Sequence, residues 1–273
     1  MKETNKGKIS NILAVIIAIS VIAIIILIAG GDKAEAPGIT NGESLGVGSY
    51  EVSAMEITYG GDDGYGGYFA TPEEDGDFPG VVMIHEWWGL NDNIKNMAET
   101  LASEGYSVLA VDLYNGKVAL TREEAMAYRQ EATTEETTAN LRAATAYLKS
   151  EGAEKVASLG WCYGGGKSLE LALSGEPLDA TLIYYGSLST STTALSAIDW
   201  PVLGIFGETD TSIPTTTVEQ FKLALDNIGV QNSIHVYPGV GHAFANPSGD
   251  NYAPEETADA WQKTLEFLGE NLR

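Results

Sequence analysis

The sequence contains one cysteine, three histidines and few basic residues. A single cysteine excludes a disulfide within the chain. Only 15 Lys and Arg face 38 Asp and Glu, which gives a formal net charge of −23. Because such a surface repels phosphates, we expect no nucleic-acid partner. Cysteine and histidine are so scarce that each of them can be weighed individually as a functional group.

The one long hydrophobic run lies near the amino terminus, from Ile12 to Ala29, and follows three lysines. Eighteen residues with a single polar member, Ser20, are long enough to cross a bilayer as one helix. Lysines before the run favour a cytoplasmic amino terminus. We therefore predict a membrane anchor or signal segment over residues 1–30, with an extracytoplasmic domain after it. The domain is secreted if cleavage occurs at the small-residue pattern Ala34–Ala36.

The remaining chain divides into a short linker and one domain. Residues 31–49 are rich in Gly, Ala, Ser and acidic side chains, which is typical of a flexible tether. Residues 50–273 are enough for a single domain with its own core. Strand-like runs alternate with helical patterns there, which predicts an α/β fold with a mostly parallel central sheet flanked by helices. The predicted strands are Val52–Thr58, Gly80–Ile84, Tyr106–Val111, Val156–Trp161, Ala180–Tyr185, Val202–Phe206 and Ser233–Tyr237.

Three further patterns predict helices. Apolar residues with helical spacing form one stripe before the third predicted strand and another near the carboxyl terminus. A threonine followed by a glutamate three residues later predicts a capping box at a helix start. The residues concerned are Ile94, Met97, Ala98 and Leu101, then Trp261, Leu265 and Leu268, and finally Thr121 with Glu124.

The lone cysteine, Cys162, stands between Gly160 and Gly164 directly after a strand-like run. This is the spacing of a nucleophile elbow, in which the residues two before and two after the nucleophile must be small. A helix that starts just after the cysteine points its amide dipoles at the sulfur and favours a thiolate. Glycine-rich turns of this kind also cradle phosphates. A catalytic interpretation therefore requires a base and an acid elsewhere in the chain.

Both groups follow later predicted strands. Asp210 lies in the loop after Val202–Phe206, and His242 lies in a glycine-bounded loop after the last strand. The order cysteine, aspartate, histidine is the order used by α/β-hydrolases. His85 precedes the cysteine and is expected to shape the pocket, whereas His235 falls inside a predicted strand. The pattern predicts acyl transfer through a thioester, for which no metal or organic cofactor is required.

Five segments in the same order give the chain a resemblance to the dienelactone hydrolase family. They read HEWWGLN at 85–91, DLYNG at 112–116, GWCYGGG at 160–166, GETD at 207–210 and GHAFA at 241–245. The resemblance runs from Tyr50 to the carboxyl terminus. It implies the α/β-hydrolase fold and hydrolysis of a carboxylic ester or lactone through a Cys-His-Asp triad.

The resemblance also implies roles for other residues. Glu86 matches a family glutamate, which implies that Cys162 rests as a thiol beside this carboxylate and that the carboxylate helps to generate the thiolate. Desolvation in an aromatic pocket would raise the pKa of such a carboxyl group and let it accept a proton near neutral pH. Backbone amides of Tyr163 and Trp87 are the expected oxyanion donors. Tyr128 matches a family tyrosine that approaches the same site.

One departure from the family bears on the substrate. Members that act on dienelactone hold its carboxylate with arginines, and this chain has Asn246 at one of those positions. Arg122 is the candidate for the other. Without two cations a buried carboxylate would bind poorly, so a small neutral ester or lactone is the expected substrate.

Two alternatives remain open at this point. The same triad serves amide and thioester chemistry on related scaffolds, which would make the protein a cysteine peptidase or another acyltransferase. The other alternative is a surface binding module that keeps the hydrolase scaffold without catalysis.

Overall fold

The computed structural model describes residues 48–61 and 64–273. The segment predicted to be a membrane anchor, residues 1–30, and nearly all of the linker predicted over 31–49 lie outside these described residues. Within the described part, none of the helices combines the length and the apolar character needed to cross a bilayer.

Eight strands form one sheet, and the predicted mostly parallel α/β architecture is confirmed. The order across the sheet is β1-β2-β4-β3-β5-β6-β7-β8, with parallel pairing from β4 to β8. The strands are β1 Val52–Tyr59, β2 Tyr65–Pro72, β3 Gly80–Ile84, β4 Ser107–Val111, β5 Val156–Trp161, β6 Ala180–Tyr184, β7 Val202–Gly207 and β8 Asn232–Tyr237. The carboxyl ends of β3 to β8 therefore all meet at one edge, where ligands bind in open α/β sheets.

The strand β2 is absent from the sequence prediction. Its segment, YGGYFATP, contains two glycines and ends in proline, which are residues depleted in strands. It forms because it pairs antiparallel with β1 on one side and with β4 on the other. Tertiary pairing therefore overrides a weak local preference. Tyr106 and Tyr185, predicted as strand residues, lie just outside β4 and β6.

Helices cover both faces of the sheet. The described helices are α1 Asp92–Ser103, α2 Arg122–Glu131, α3 Thr134–Ser150, α4 Tyr163–Leu173, α5 Thr192–Leu195, α6 Thr215–Ile228 and α7 Pro254–Leu272. α1 and α7 pack on one face, and α3, α4 and α6 pack on the other. Alternate residues of β3 feed the two cores, with Val82 and Ile84 on one side and Val81 and Met83 on the other.

The predicted helical patterns are confirmed. Both apolar stripes face the sheet, since Ile94 and Leu101 of α1 and Trp261 and Leu268 of α7 are buried in the same core. The predicted capping box is present, with Thr121 and Glu124 each bonding the other's backbone N–H at the start of α2.

The chain turns sharply between β5 and α4, at Cys162. The φ of Cys162 is 54°, a left-handed value that non-glycine residues rarely adopt. A Cβ on Gly160 would overlap the carbonyl group of Gly164, and a Cβ on Gly164 would overlap the carbonyl oxygens of Ile84 and His85. The start of α4 is thus pressed backbone to backbone against the ends of β5 and β3. This contact holds the cysteine at the carboxyl edge of the sheet.

We predict that Gly164→Ala destabilises the fold by roughly 1–3 kcal/mol, because the new methyl group forces packed backbone apart. Gly269→Ala is the matched control, since a Cβ there meets nothing within 4 Å inside a helix. That change should leave stability unaltered or raise it by about 0.5–1 kcal/mol. Urea unfolding of both variants measures the two effects. Equal stabilities for the two variants would contradict the tight-turn explanation.

Candidate active site

Three side chains from different strand ends meet at the carboxyl edge of the sheet. Cys162 follows β5, Asp210 follows β7 and His242 follows β8. The Nε2 atom of His242 lies 3.1 Å from the Sγ atom of Cys162. Its Nδ1 atom lies 2.7 Å from Oδ2 of Asp210. The imidazole therefore bridges a sulfur and a carboxylate that belong to separate parts of the chain.

Asp210 is fixed by the turn that follows it. Its Oδ1 atom accepts hydrogen bonds from the backbone N–H groups of Ser212 (2.7 Å) and Ile213 (3.1 Å). Burial would raise the pKa of this carboxyl group. The hydrogen bonds from His242 and from these two amides outweigh burial and lower its pKa. The carboxylate therefore stays ionised and orients the imidazole.

The His242 imidazole is stabilised as a cation. Burial alone would lower its pKa, but hydrogen bonds to Asp210 and Cys162 and their negative charges raise the pKa to about 10. The backbone carbonyl of His242 accepts a hydrogen bond from the side chain of Asn251 at 2.9 Å, which steadies the loop. A protonated imidazole next to sulfur is the arrangement that suits a thiolate nucleophile.

Glu86 lies just after β3 and is buried, with 6% of its surface exposed. Burial raises the pKa of its carboxyl group to about 7, although the charge of His242 and a hydrogen bond from Asn246 act in the opposite direction. Its Oε2 atom accepts that bond from Asn246 Nδ2. The family resemblance implies a resting thiol beside Glu86. In the structure the Cys162 sulfur forms a hydrogen bond with the His242 imidazole, and the Glu86 carboxyl group accepts one from Asn246.

The two predicted oxyanion donors come from separate segments, one directly after Cys162 and the other in the turn after β3. Tyr163 is the first residue of α4, where backbone N–H groups have no partner within the helix. Trp87 lies in the turn after Glu86, its ring centre 5.0 Å from that of Trp88. The backbone of Ile84 and His85, just before the turn that carries Trp87, packs against Gly164 of the elbow.

The predicted residues of α2 have different outcomes. Tyr128 is half-buried and reaches the ring of Tyr114, with centres 6.0 Å apart. Arg122 is exposed at the first residue of the helix. Arg129, on the same helix, lies with its guanidinium 5.7 Å from the ring centre of Tyr163. The two arginines share one helical face two turns apart, so residue type alone could not distinguish them.

His85 is buried and links the chain segments that follow β3 and β4. Its Nε2 atom accepts a hydrogen bond from Leu113 N–H at 3.2 Å, and Nδ1 contacts the Glu86 carbonyl oxygen. Burial lowers the pKa of this imidazole, so it stays neutral. Its ring also contacts Tyr114 edge to face. His235 lies in β8, and its Nε2 atom forms a hydrogen bond with the hydroxyl of Ser233.

Two cavities in the described part of the chain are lined by residues other than the candidate triad. One, of about 230 Å³, is bordered by Tyr114 and Tyr128. The other, of about 630 Å³, is bordered by Lys95 and Gly116. Neither is lined by Cys162 or His242. Among the described residues, no group of three or more His, Cys, Asp or Glu is arranged to hold a metal.

One site residue was missed by sequence reasoning. Tyr185 directly follows β6, is 1% exposed and packs its ring against His242 with centres 5.3 Å apart. The only available signal was its position at a strand end on the catalytic edge. It was obscured because the apolar run of β6 continues into it.

Comparison with known proteins agrees with this geometry. The profile of the dienelactone hydrolase family matches residues 65–272. A protein of Saccharolobus solfataricus named "Putative carboxymethylenebutenolidase" is 30% identical over 242 residues, covering 74% of this chain and 92% of that protein.

Solved structures share the fold, which is that of the α/β-hydrolase superfamily. A dienelactone hydrolase-like promiscuous phosphotriesterase from metagenomic libraries has a TM-score of 0.74 at 25% identity, covering 81% of this chain and 99% of its own. An acylaminoacyl peptidase of Pyrococcus horikoshii has a TM-score of 0.65 at 16% identity, with 81% of this chain and 42% of its own covered. The latter similarity concerns the fold alone.

We predict that Asp210→Asn lowers the pKa of His242 by about 1–2 units, because it removes the negative charge beside Nδ1. A group with a raised pKa stays cationic until that pH, so loss of the proton should move from near pH 10 to a lower pH. An NMR pH titration of the imidazole measures this midpoint. His235 provides an internal control, because its midpoint should be the same in both proteins. An unchanged His242 midpoint would contradict the proposed coupling.

Proposed function

The chain belongs to the dienelactone hydrolase family, and on that premise we propose that it hydrolyses a small neutral ester or lactone through Cys162, His242 and Asp210. The family match and its carboxymethylenebutenolidase relatives make the protein a hydrolase that acts on esters or lactones. The observation that carries the proposed mechanism is the bridging imidazole, 3.1 Å from the sulfur and 2.7 Å from the carboxylate.

In the proposed first half-reaction the Cys162 thiolate attacks the carbonyl carbon, and a sulfur–carbon bond forms while the C=O π electrons move to oxygen. The N–H groups of Tyr163 and Trp87 donate to this oxyanion, and each such donor typically lowers a barrier by ~3 kcal/mol. The intermediate then collapses, the carbon–oxygen bond breaks, and the leaving alkoxide takes the proton from His242 Nε2. In a lactone the alcohol stays attached to the acyl group.

In the second half-reaction the neutral His242 accepts a proton from water as the hydroxide attacks the thioester carbon. The thiolate leaves, which restores the ion pair with the imidazolium, and the carboxylic acid is released. Asp210 stays ionised throughout and holds the imidazole in its orientation. The cycle draws only on groups of this chain and on water.

The thiol proton has two possible acceptors near the sulfur. His242 is already in contact with Sγ and can take it directly. Glu86 is the second base that the family resemblance implies, and its pKa of about 7 suits proton exchange at neutral pH. Transfer to Glu86 requires the sulfur to leave the imidazole.

The preference for a neutral substrate is supported by the groups around the sulfur. The position where the family resemblance expects an arginine holds Asn246, which is engaged with Glu86. Glu86 and Asp210 are both acidic and buried. A substrate carboxylate would face these groups with little compensating positive charge, which is costly in a desolvated site.

The cellular location stays a prediction from the sequence. We infer a membrane-anchored protein with an extracytoplasmic catalytic domain, because residues 12–29 form a long apolar run after three lysines. Cleavage of that segment would give a secreted enzyme. Amides and thioesters belong in any substrate screen, since the peptidase and acyltransferase alternatives use the same chemistry.

We predict that His242→Gln lowers kcat on small aryl esters by about three orders of magnitude or more, because it removes the proton carrier. His235→Gln is the matched control and should keep kcat within about twofold, since His235 lies away from the sulfur on β8. Intact-mass spectra should show an acyl adduct on the wild type and none on Cys162→Ala. Full turnover by folded Cys162→Ala would reject the thiol mechanism.

We also predict that wild-type kcat/KM for a neutral aryl ester exceeds that for its carboxylate-bearing analogue by about tenfold or more, equivalent to about 1.4 kcal/mol. The loss arises because the substrate anion meets Glu86 without an arginine. Steady-state kinetics on such matched pairs measure the ratio. A preference for the anionic member would show that another cation, such as Arg129, serves the site.

A further inference from the structure

Tyr185 is held in an unusual backbone conformation at the catalytic edge. Its φ is 38°, in the left-handed region that bulky residues avoid. Its N–H donates to the carbonyl of Ile205 at 2.7 Å, which ties the strained residue to the neighbouring strand. Strained conformations of this kind persist where the surrounding structure fixes them, and they concentrate at functional sites. The proposed catalytic cycle assigns no role to Tyr185.

The ring of Tyr185 supports the imidazole. The two rings meet edge to face, 5.3 Å apart at an angle of 63°. Phe244 contacts the same tyrosine ring from another side, at 5.7 Å. His242 is therefore bounded by Asp210 at Nδ1, by Cys162 at Nε2 and by this ring.

The hydroxyl of Tyr185 is buried without a hydrogen-bond partner among the described residues. The Oε1 atom of Glu86 is in the same condition. Buried polar groups of proteins are nearly always paired, and each exception requires an explanation. The neighbouring Tyr184 shows the ordinary case, since its hydroxyl bonds the carbonyl of Ala260 (2.9 Å) and the hydroxyl of Thr264 (2.6 Å). Tyr185 thus has an unused donor and Glu86 an unused acceptor, and the hydroxyls of Tyr114 and Tyr163 are also without a partner among the described residues.

The surrounding charges decide which group would donate in a hydrogen bond between the Tyr185 hydroxyl and the Glu86 carboxylate. Burial raises the pKa of Tyr185 well above its ordinary value, and the negative charges of Glu86 and Cys162 raise it further. The backbone N–H of Ala245 acts in the opposite direction, although it does not reach hydrogen-bond geometry. Tyr185 therefore keeps its proton and can serve as a donor.

The surroundings of Glu86 leave room for such a donor. His242 lowers the pKa of the Glu86 carboxyl through its charge, and Asn246 donates to Oε2. Tyr185 is the other ionisable group linked to this carboxylate by charge, and Cys162 acts on the same tyrosine. His85 precedes Glu86 in the chain, with its ring on the Glu86 backbone carbonyl. A buried carboxylate that loses its proton needs more than one donor, and Oε1 has none.

We propose that Tyr185 is a positioning residue of this site, whose hydroxyl donates to Oε1 of Glu86 when that carboxylate is ionised while its ring holds the His242 imidazole. Its importance for turnover rests on the proposed hydrolase function. The proposed hydrogen bond to Glu86 does not depend on that function. No covalent bond changes in this role: the tyrosine keeps its proton and stabilises the charged form of the neighbouring group.

The test compares Tyr185→Phe with Tyr184→Phe, which removes the hydroxyl of the adjacent tyrosine, a group that bonds Ala260 and Thr264 instead. Infrared titration follows the protonated carboxyl band of Glu86, which Glu86→Gln identifies by its disappearance. Because a hydrogen bond to a charged group is lost, the Glu86 midpoint in Tyr185→Phe should rise by about one pH unit. Tyr184→Phe should keep the wild-type midpoint, even if it is less stable. An unchanged midpoint in folded Tyr185→Phe overturns the proposal.

Kinetics separate this proposal from the proposed function. The acidic limb of the kcat/KM profile should shift upward with the infrared midpoint in Tyr185→Phe and stay in place in Tyr184→Phe. If Tyr185→Phe hydrolyses esters normally and its Glu86 midpoint is unchanged, the proposed role of Tyr185 is rejected and the proposed hydrolase function stands. A shifted midpoint in a protein that cleaves no ester supports the contact and defeats the function.

A second measurement covers the case in which Tyr185→Phe does not fold. The hydroxyl proton of Tyr185 in the wild type, followed by NMR, should move downfield as Glu86 loses its proton. A resonance that stays in place across that titration would overturn the proposal.

Discussion

The site depends on one backbone contact, the close approach of the start of α4 to the ends of β5 and β3. Gly160 and Gly164 have no side chains, so the helix can begin within one residue of the strand. That geometry forces Cys162 into a left-handed conformation and presents its sulfur at the carboxyl edge. The loops after β3, β7 and β8 end at the same edge because their strands are parallel. Each other group then needs only a short loop to reach the sulfur.

Two histidines at this edge show how local partners set charge. Burial by itself would lower the pKa of both His85 and His242. His85 has only backbone partners, so its pKa falls and it remains a neutral brace. His242 has a carboxylate on one side and a sulfur on the other, so its pKa rises. The same side chain is therefore structural in one position and suited to proton transfer in the other.

Most of the fold could be predicted from the sequence, because buried parallel strands appear as short apolar runs. The exception, β2, contains glycines and proline and forms through pairing with β1 and β4. The candidate site could be predicted only in part, because its contacts also depend on tertiary structure. Glycine spacing marks the elbow, but two arginines on one face of α2 look equivalent in sequence. Only the position of the helix decides that Arg129, not Arg122, approaches the ring of Tyr163.

The sequence by itself determined the features that local geometry dictates: the tight turn at Cys162, the capping box at Thr121, and the order of cysteine, aspartate and histidine along the chain. Tertiary structure alone decided which side chains touch. It paired Glu86 with Asn246, 160 residues apart, and placed the ring of Tyr185 on the imidazole. Such contacts arise where separate strand ends converge, and neither residue type nor spacing encodes the distance between them. Burial there also sets the proton affinities, because desolvation depends on the complete fold.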